Sequence, residues 1–444
     1  GENARLAERA ADLHDIGQRV LRLLLGESAG APELPPHPVI LVADDLTPSE
    51  AARLDATRIL GICTAQGGPT SHTAIIARSI DLPAIVGAGP EILALANGTE
   101  AVLDGTAGVL HASPTPADLA SARRLAEQLR RRRGADFIAR YQPAVMTDGA
   151  RIEVAANIKQ TGEAASAVEM GAEGVGLMRT EFLFLDRGTA PTEDEQYEAY
   201  RDMIRDLNGL PLILRTLDIG GDKLASYIAL PKEENPFLGI RGLRLCLRQP
   251  EIFLPQLRAI YRASAHGPVK IMFPMVTTVE DFREAREHAE AVRAEIGADR
   301  LDLGIMVEVP AAALMARELA REVDFFSIGT NDLTQYVLAM DRLHASLAKN
   351  VDGLHPAVLR LVEATVNGAR AEGKWVGVCG GVAGDPLGAI LLAGLGVSEL
   401  SVSPPAIPAV KAALRRLSLL EARHLAARAL ACPTATAVRQ LSLP

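Results

Sequence analysis

Short apolar segments that alternate with helical patterns fill the chain after residue 150, and they constrain its fold more than any other feature. Eight of them are predicted to be strands: Glu153–Ile158, Gly174–Arg179, Leu212–Leu217, Lys270–Met275, Gly304–Val309, Phe325–Thr330, Trp375–Gly380 and Glu399–Ser403. Helical patterns lie between them, as at Thr278–Ile296, Ala311–Arg321 and Pro356–Glu372. Because alternating strands and helices form parallel sheets, the pattern predicts an α/β fold of the (β/α)₈ TIM barrel type, with a doubly wound open sheet as the alternative.

The chain before residue 116 has a smaller α/β pattern. Strands are predicted at Val39–Val42, Ile59–Thr64, Ala84–Val86 and Ala101–Leu103, and helices at Ser49–Thr57 and Thr73–Ser79. We therefore divide the chain into a helical segment at residues 1–30, an α/β domain at 31–115, a linker helix at 116–145 and a barrel at 146–444. The basic run Arg130–Arg133 is interpreted as a solvated face of the linker helix.

The composition of the chain excludes several classes of protein. Apolar residues make up 48% of the chain, which is enough for a large core, and the net charge of −9 excludes the basic surface of a nucleic-acid-binding protein. No apolar run is long enough to span a membrane, and the first residues lack a signal-peptide pattern. The four cysteines are too far apart for a metal site, and we interpret them as reduced thiols of a cytoplasmic protein.

The segment Gly67–Arg78, with the sequence GGPTSHTAIIAR, is the most informative stretch for chemistry. Its glycines allow a tight turn, Thr70 and Ser71 are good N-cap residues, and an apolar helix follows at once. His72 is therefore predicted at a helix N-terminus, where the helix dipole disfavours a cationic imidazole and stabilises a bound anion. A histidine in this position is suited to accept a phosphoryl group and pass it on.

The same segment resembles the phosphohistidine signature shared by Enzyme I of the bacterial sugar phosphotransferase system, pyruvate phosphate dikinase and phosphoenolpyruvate synthase. The resemblance implies that residues 31–115 form a swivelling domain that carries the phosphoryl group on His72.

Polar residues follow several predicted barrel strands at their C-terminal ends, where barrel enzymes place their chemistry. They are Arg179, Arg215, Glu308, Asn331, Asp332, Arg342 and Cys379. Arginines bind phosphate and carboxylate groups in bidentate fashion, and two carboxylates suffice as protein ligands for Mg²⁺. The set predicts a site for a small polyanion held through a metal ion.

These strings, together with Pro231–Gly239, resemble the phosphoenolpyruvate-binding barrel of Enzyme I. The resemblance covers nearly the whole chain and implies a homodimer through the barrel. It implies phosphate binding by Arg179 and Arg215, and binding of the rest of phosphoenolpyruvate by Asn331, Asp332 and Arg342. It also implies Mg²⁺ ligation by Glu308 and Asp332, and protonation of the enolate by Cys379, whose thiol is a proton donor at neutral pH. Cys63, Cys246 and Cys432 are interpreted as small buried hydrophobic residues.

The sequence departs from the Enzyme I pattern at several points, and two other functions are alternatives. Enzyme I normally has a preceding region that docks the phosphocarrier protein HPr, so we interpret the chain as truncated, with a multiphosphoryl transfer fusion as a candidate natural form, and expect poor transfer to HPr. Gly380–Ala383 stands where the family more often has Gly-Glu-Leu-Ala, and Pro69 replaces an arginine of some members. The alternatives are a fragment of pyruvate phosphate dikinase or phosphoenolpyruvate synthase, and a non-catalytic regulator that senses phosphoenolpyruvate.

Overall fold

The structure is a computed structural model that describes residues 35–47, 50, 54, 58–68, 71–79, 82–221, 225–344 and 346–442. The helix predicted within residues 1–30 lies outside these ranges, as does most of the one predicted at Ser49–Thr57. The chain divides into two compact units. The first unit comprises Gly1–Arg131 with Asp341–Asn350, and the second comprises Arg132–Met340 with Val351–Pro444.

The first unit contains a small parallel sheet and a hairpin. Its strands are β1 (Val39–Ala43), β2 (Ile59–Thr64), β3 (Ala84–Ile85), β4 (Ala101–Asp104) and β5 (Val109–Ala112), with the order β1-β2-β3 in the sheet and β4 paired antiparallel with β5. The helix His72–Ser79 packs Ala77 onto Ile59 and Ile62 of the sheet. The hairpin turn is closed by Asp104, whose Oδ1 accepts the N–H groups of Thr106 and Ala107. Strand β5 was not predicted.

The second unit is a closed barrel. Its strands are β6 (Ala144–Val145), β7 (Arg151–Ile158), β8 (Val175–Arg179), β9 (Leu212–Arg215), β10 (Val269–Phe273), β11 (Asp302–Val307), β12 (Phe325–Ile328), β13 (Trp375–Val378) and β14 (Glu399–Val402). Strands β7 to β14 are parallel, each paired with the next, and β14 pairs back onto β7. The (β/α)₈ prediction is confirmed, and the open sheet is wrong because this last pairing closes the ring. Strand β6, an antiparallel addition to β7, was not predicted.

Helices connect the strands and cover the barrel. The helix between the units is Pro116–Ile138, and those of the barrel are Glu163–Glu169, Glu193–Asp206, Leu243–Arg248, Pro250–Ala263, Val279–Ile296, Pro310–Leu314, Ala316–Ala320, Thr330–Leu338, Pro356–Ala371, Pro386–Leu395, Ile407–Leu414, Leu419–Ala431 and Ala435–Arg439. Thr192, Thr278 and Ser418 start three of them through capping boxes, in which each side chain accepts a backbone N–H of the first turn. The helix predicted at Ala311–Arg321 is two helices divided at Met315.

The inside of the barrel has an apolar middle layer. It consists of Leu177, Ile213, Met272, Met306, Phe325 and Cys379, with Trp375 packed against it. We call the end of the barrel at the C-terminal ends of the strands the upper mouth, and the opposite end the lower mouth. This buried layer lies between two groups of charged residues, one at each mouth.

Two further expectations from the sequence concern the cysteines and membrane-spanning segments. All four cysteines are free thiols. In the part of the chain that the structure describes, no helix is long and apolar enough to cross a membrane.

Candidate active site

Arg215, the last residue of β9, is the centre of a buried ion-pair network at the upper mouth. Its Nη2 lies 2.7 Å from Oε1 of Glu181, and its Nη1 lies 3.3 Å from Oδ2 of Asp218 and 3.7 Å from Oε1 of Glu308. Burial alone would lower the pKa of Arg215, but the carboxylates outweigh this effect and raise the pKa above its ordinary value. The guanidinium is therefore charged, and its Nε has no hydrogen-bond partner among the described residues.

Arg241 forms a second buried cationic centre, which the sequence analysis missed. Its Nη2 contacts both carboxylate oxygens of Asp218 at 3.0 and 3.1 Å, and its Nη1 lies 3.0 Å from Oδ1 of Asp332. The next residue, Gly242, has φ 56°, and a Cβ atom there would lie 2.9 Å from the side chain of Met275. Only glycine therefore suits the turn that positions Arg241. The sequence feature that could have identified Arg241 is its position two residues after the string Pro231–Gly239.

Among the described residues, the network holds more carboxylate than guanidinium groups. Four carboxylates (Glu181, Asp218, Glu308 and Asp332) face the two guanidinium groups of Arg215 and Arg241. Burial, followed by the neighbouring Asp332 and Asp218, raises the pKa of Glu308 to about 8. Buried carboxylates are oxygen donors that suit a hard divalent cation. Glu308 and Asp332, the ligands that the resemblance implies, belong to this set.

Cys379 follows β13 and is buried at the same mouth. Burial raises the pKa of its thiol to about 11, so the sulfur is protonated at neutral pH. Its Sγ lies 3.7 Å from the carbonyl oxygen of Ile328, to which the thiol donates. Arg179, the last residue of β8, is close enough for its charge to act on this thiol, lowering the pKa in opposition to the burial.

Two asparagines hold the loop that carries Cys379. Asn157 donates from Nδ2 to the carbonyl oxygen of Cys379 at 3.0 Å, and Ser401 donates to Oδ1 of Asn157 at 2.7 Å. Asn331 accepts the N–H of Gly381 at 2.9 Å. These bonds give the loop Gly380–Ala383 backbone anchors that do not depend on the glutamate found there in Enzyme I.

We expect Asn157→Ala to loosen this loop without unfolding the barrel. The loss of one side-chain-to-backbone hydrogen bond costs about 1 kcal/mol, so we expect the free energy of unfolding to fall by about that amount. Urea denaturation measures it, beside Gln160→Ala, an exposed residue after the same strand. Equal stability of Asn157→Ala and Gln160→Ala would contradict this role.

The structure brings together most of the predicted site residues. Asn331 and Asp332 lie in the first turn of the helix Thr330–Leu338, next to the groups described above. Arg342 lies in the segment Asp341–Asn350, which belongs to the first unit and not to the barrel unit.

In the first unit, the helix His72–Ser79 begins at His72, as predicted. Ser71 accepts the N–H of Ala74 at 3.3 Å, which is the bond of an N-cap residue and confirms that expectation for Ser71. Gly67 has φ 96°, and a Cβ atom there would lie 3.3 Å from the Ser71 hydroxyl, which accounts for a glycine before the helix. The buried Thr73 donates to Asp45 at 3.2 Å and ties the first turn to the loop after β1.

These features define an α/β-barrel protein with arginines and carboxylates at the upper mouth, joined to a small α/β unit with a histidine at a helix start. Comparison with known families agrees: the PEP-binding domain of PEP-utilising enzymes matches residues 135–419, and their mobile domain matches residues 35–108. The chain belongs to the family of PEP-utilising enzymes, in which PEP stands for phosphoenolpyruvate.

Individual relatives match over almost the whole chain. The phosphoenolpyruvate-protein phosphotransferase of Geobacillus stearothermophilus is 44% identical over 98% of this chain and 77% of its own length. Multiphosphoryl transfer proteins of Rhodobacter capsulatus and Xanthomonas campestris are 58% and 56% identical over 99% of this chain. The chain spans 53% of the length of these two proteins.

Proposed function

We propose that the chain transfers the phosphoryl group of phosphoenolpyruvate to its own His72, releases pyruvate, and serves onward transfer to HPr in the sugar phosphotransferase system. The observation that carries the proposal is the buried network of Arg215 and Arg241 with four carboxylates at the upper mouth. It provides fixed positive charge and cation ligands for a small polyanion. The names of the relatives support the choice of this reaction over that of a dikinase or synthase, or a sensing role without chemistry.

The proposed roles follow the chemistry of each group. Arg179 and Arg215 bind the phosphate, and Asn331 and Arg342 bind the rest of the substrate. Glu308 and Asp332 are the proposed Mg²⁺ ligands, and the bound ion would neutralise charge on the transferring group. Arg241 fixes Asp332 and Asp218 in place through its paired hydrogen bonds.

In the proposed phosphoryl transfer one bond to phosphorus forms and one breaks. A ring nitrogen of His72 forms a bond to phosphorus while the bond between phosphorus and the enol oxygen breaks, which leaves the enolate of pyruvate. The Cys379 thiol gives its proton to the methylene carbon, and the thiolate later recovers a proton from solvent. Because burial keeps this thiol protonated, it is a donor before each turnover.

The domain and assembly assignments belong to the same proposal. We assign phosphohistidine transport to residues 31–115, a linker to 116–145 and substrate binding to 146–444. The matches at residues 35–108 and 135–419 support this division. We also propose a homodimer through the barrel, as the resemblance to Enzyme I implies. We propose a cytoplasmic location because phosphoenolpyruvate is a cytoplasmic metabolite.

Incubation with phosphoenolpyruvate and Mg²⁺, followed by intact-mass measurement, tests the proposal. We expect the chain to gain one phosphoryl group that acid removes, with one pyruvate formed for each group. A chain that binds phosphoenolpyruvate but neither gains mass nor forms pyruvate would contradict it and favour a sensing role.

Cys379→Ala separates the two halves of the reaction. We expect it to keep the phosphorylation of His72 but to slow pyruvate formation in a single turnover by about 10²–10⁴-fold, the usual contribution of a positioned acid. Intact mass measures the first quantity and a coupled assay the second, with Cys432→Ala, a thiol that follows the helix Leu419–Ala431, as control. Loss of phosphorylation in proportion to pyruvate would assign Cys379 to binding instead.

A further inference from the structure

A polar cavity lies at the lower mouth of the barrel. It has a volume of about 360 Å³. It is lined by Glu153, Ala155, Gly174, Val175, Pro211, Ile213, Lys270, Trp375, Ser398 and Glu399. The charged members lie within the first three residues of their strands. The apolar middle layer separates this cavity from the network at the upper mouth, so the proposed reaction does not use it.

Glu399, the first residue of β14, is the unusual member of the cavity wall. It is only 7% exposed, and its Oε1 has no hydrogen-bond partner among the described residues. Glycines on β8 and β13 leave room for it, because a Cβ atom on Gly176 or Gly377 would lie 2.6 or 3.1 Å from this oxygen. A buried carboxyl oxygen without a hydrogen-bond partner costs free energy, so its presence in the barrel needs a functional explanation.

Two carboxyl groups meet in the cavity. Glu153 is the register partner of Glu399 on the adjacent strand β7, so both carboxyl groups face the same space. The lysine in the wall, Lys270, forms an ion pair with Asp302 of the neighbouring strand, and its Nζ lies 5.8 Å from the ring centroid of Trp375. Burial and then Glu153 raise the pKa of Glu399 to about 8, with Lys270 opposing them. A further cation bound beside Glu399 would stabilise its ionised form.

The remaining wall is apolar and aromatic. Trp375 stacks on Phe325 with ring centroids 4.9 Å apart, and Val175 and Ile213 line the same cavity. Two carboxyl groups beside an aromatic and aliphatic wall match an ammonium group on a short hydrocarbon chain better than a bare metal ion.

We propose that the lower mouth is a binding site for a small organic cation, with a primary ammonium group held by Glu399 and Glu153 and its hydrocarbon chain packed on Trp375. The site lies at the end of the barrel opposite to the proposed phosphoryl transfer, and its ligand is distinct from phosphoenolpyruvate.

Trp375 is the only tryptophan in the sequence, so intrinsic fluorescence reports directly on this cavity. We would titrate the whole chain with n-butylammonium chloride at alkaline pH, where Glu399 is ionised. The controls are 1-butanol, which has the same shape without the charge, and potassium chloride at the same ionic strength. We expect a saturable fluorescence change with n-butylammonium alone. An equal change with either control, or no saturable change, would overturn the proposal.

Two variants locate the site. Glu399→Gln and Glu153→Gln keep the shape of each side chain and remove its charge, and we expect each to weaken binding at least about tenfold. Glu318→Gln, an exposed glutamate on the helix Ala316–Ala320, is the matched control and should bind as the unmodified chain does. Circular dichroism checks folding, and if one variant fails to fold the other decides. Unchanged affinity in a folded Glu399→Gln or Glu153→Gln would refute the assignment.

Discussion

Replacing His72 with alanine is expected to abolish the uptake of phosphoryl groups from phosphoenolpyruvate. The imidazole is the proposed nucleophile, and no other group at the start of the helix His72–Ser79 can form the same phosphorus–nitrogen bond. Intact mass after incubation with phosphoenolpyruvate and Mg²⁺ should show one added phosphoryl group in the unmodified chain and none in the variant. We expect the melting temperature to change little, because the substitution leaves the apolar positions of the helix intact.

His111→Ala is the matched control for this experiment. His111 lies on β5 of the same unit and is exposed, so its loss should leave both mass gain and pyruvate formation unchanged. An acid-labile phosphoryl group on the His72→Ala chain would refute His72 as the acceptor. Loss of the mass gain in His111→Ala alone would move the acceptor to that residue.

Replacing Arg241 with methionine is expected to lower both the stability of the barrel and its phosphorylation activity. Arg241→Met keeps much of the side-chain length but removes the buried cation that bridges Asp218 and Asp332. Removing one partner of a buried ion pair typically costs about 3–5 kcal/mol, so we expect a loss of that order in the free energy of unfolding. We also expect phosphorylation by phosphoenolpyruvate to be lost, because Asp332 would no longer be fixed. Urea denaturation and the intact-mass assay measure the two effects.

Two variants make this result specific. Arg300→Met removes an exposed ion pair with Asp324 and should cost only about 0–1 kcal/mol. Arg241→Lys keeps the charge but cannot make the paired hydrogen bonds to Asp218, so we expect partial stability and reduced activity. Equal stability of Arg241→Met and Arg300→Met would show that the network does not support the fold.

The strands of the barrel were predictable because each is a short apolar run that the surrounding helices bury. All eight predicted strands are present, but several end earlier than predicted, as at Arg215 rather than Leu217. The polar residues that follow belong to loops that turn toward the upper mouth, which periodicity cannot detect. Strands β5 and β6 were missed because they are short, and neither has a long apolar run.

The candidate site was only partly predictable, for a different reason. Arg215, Glu308 and Cys379 were identified because they lie near the C-terminal ends of predicted strands, where position alone indicates the upper mouth. Arg241 comes from the long connection after β9, and only the folded chain brings it to Asp218 and Asp332. Glu399 was predicted as an ordinary strand residue, because nothing local indicates that the glycines of two other strands leave space for its carboxyl group.

The pairing of β14 with β7 has a consequence for the synthesis of the chain. Glu153 and Glu399, which are register partners, are 399 − 153 = 246 residues apart in sequence. At a translation rate of about 5–20 residues per second, β7 emerges from the ribosome roughly 12–50 s before its partner exists. During that interval the nascent barrel has two unpaired strand edges, which are prone to aggregation. We therefore expect the newly made chain to depend on chaperones at this stage, and slower translation before β14 to lower the yield of folded protein.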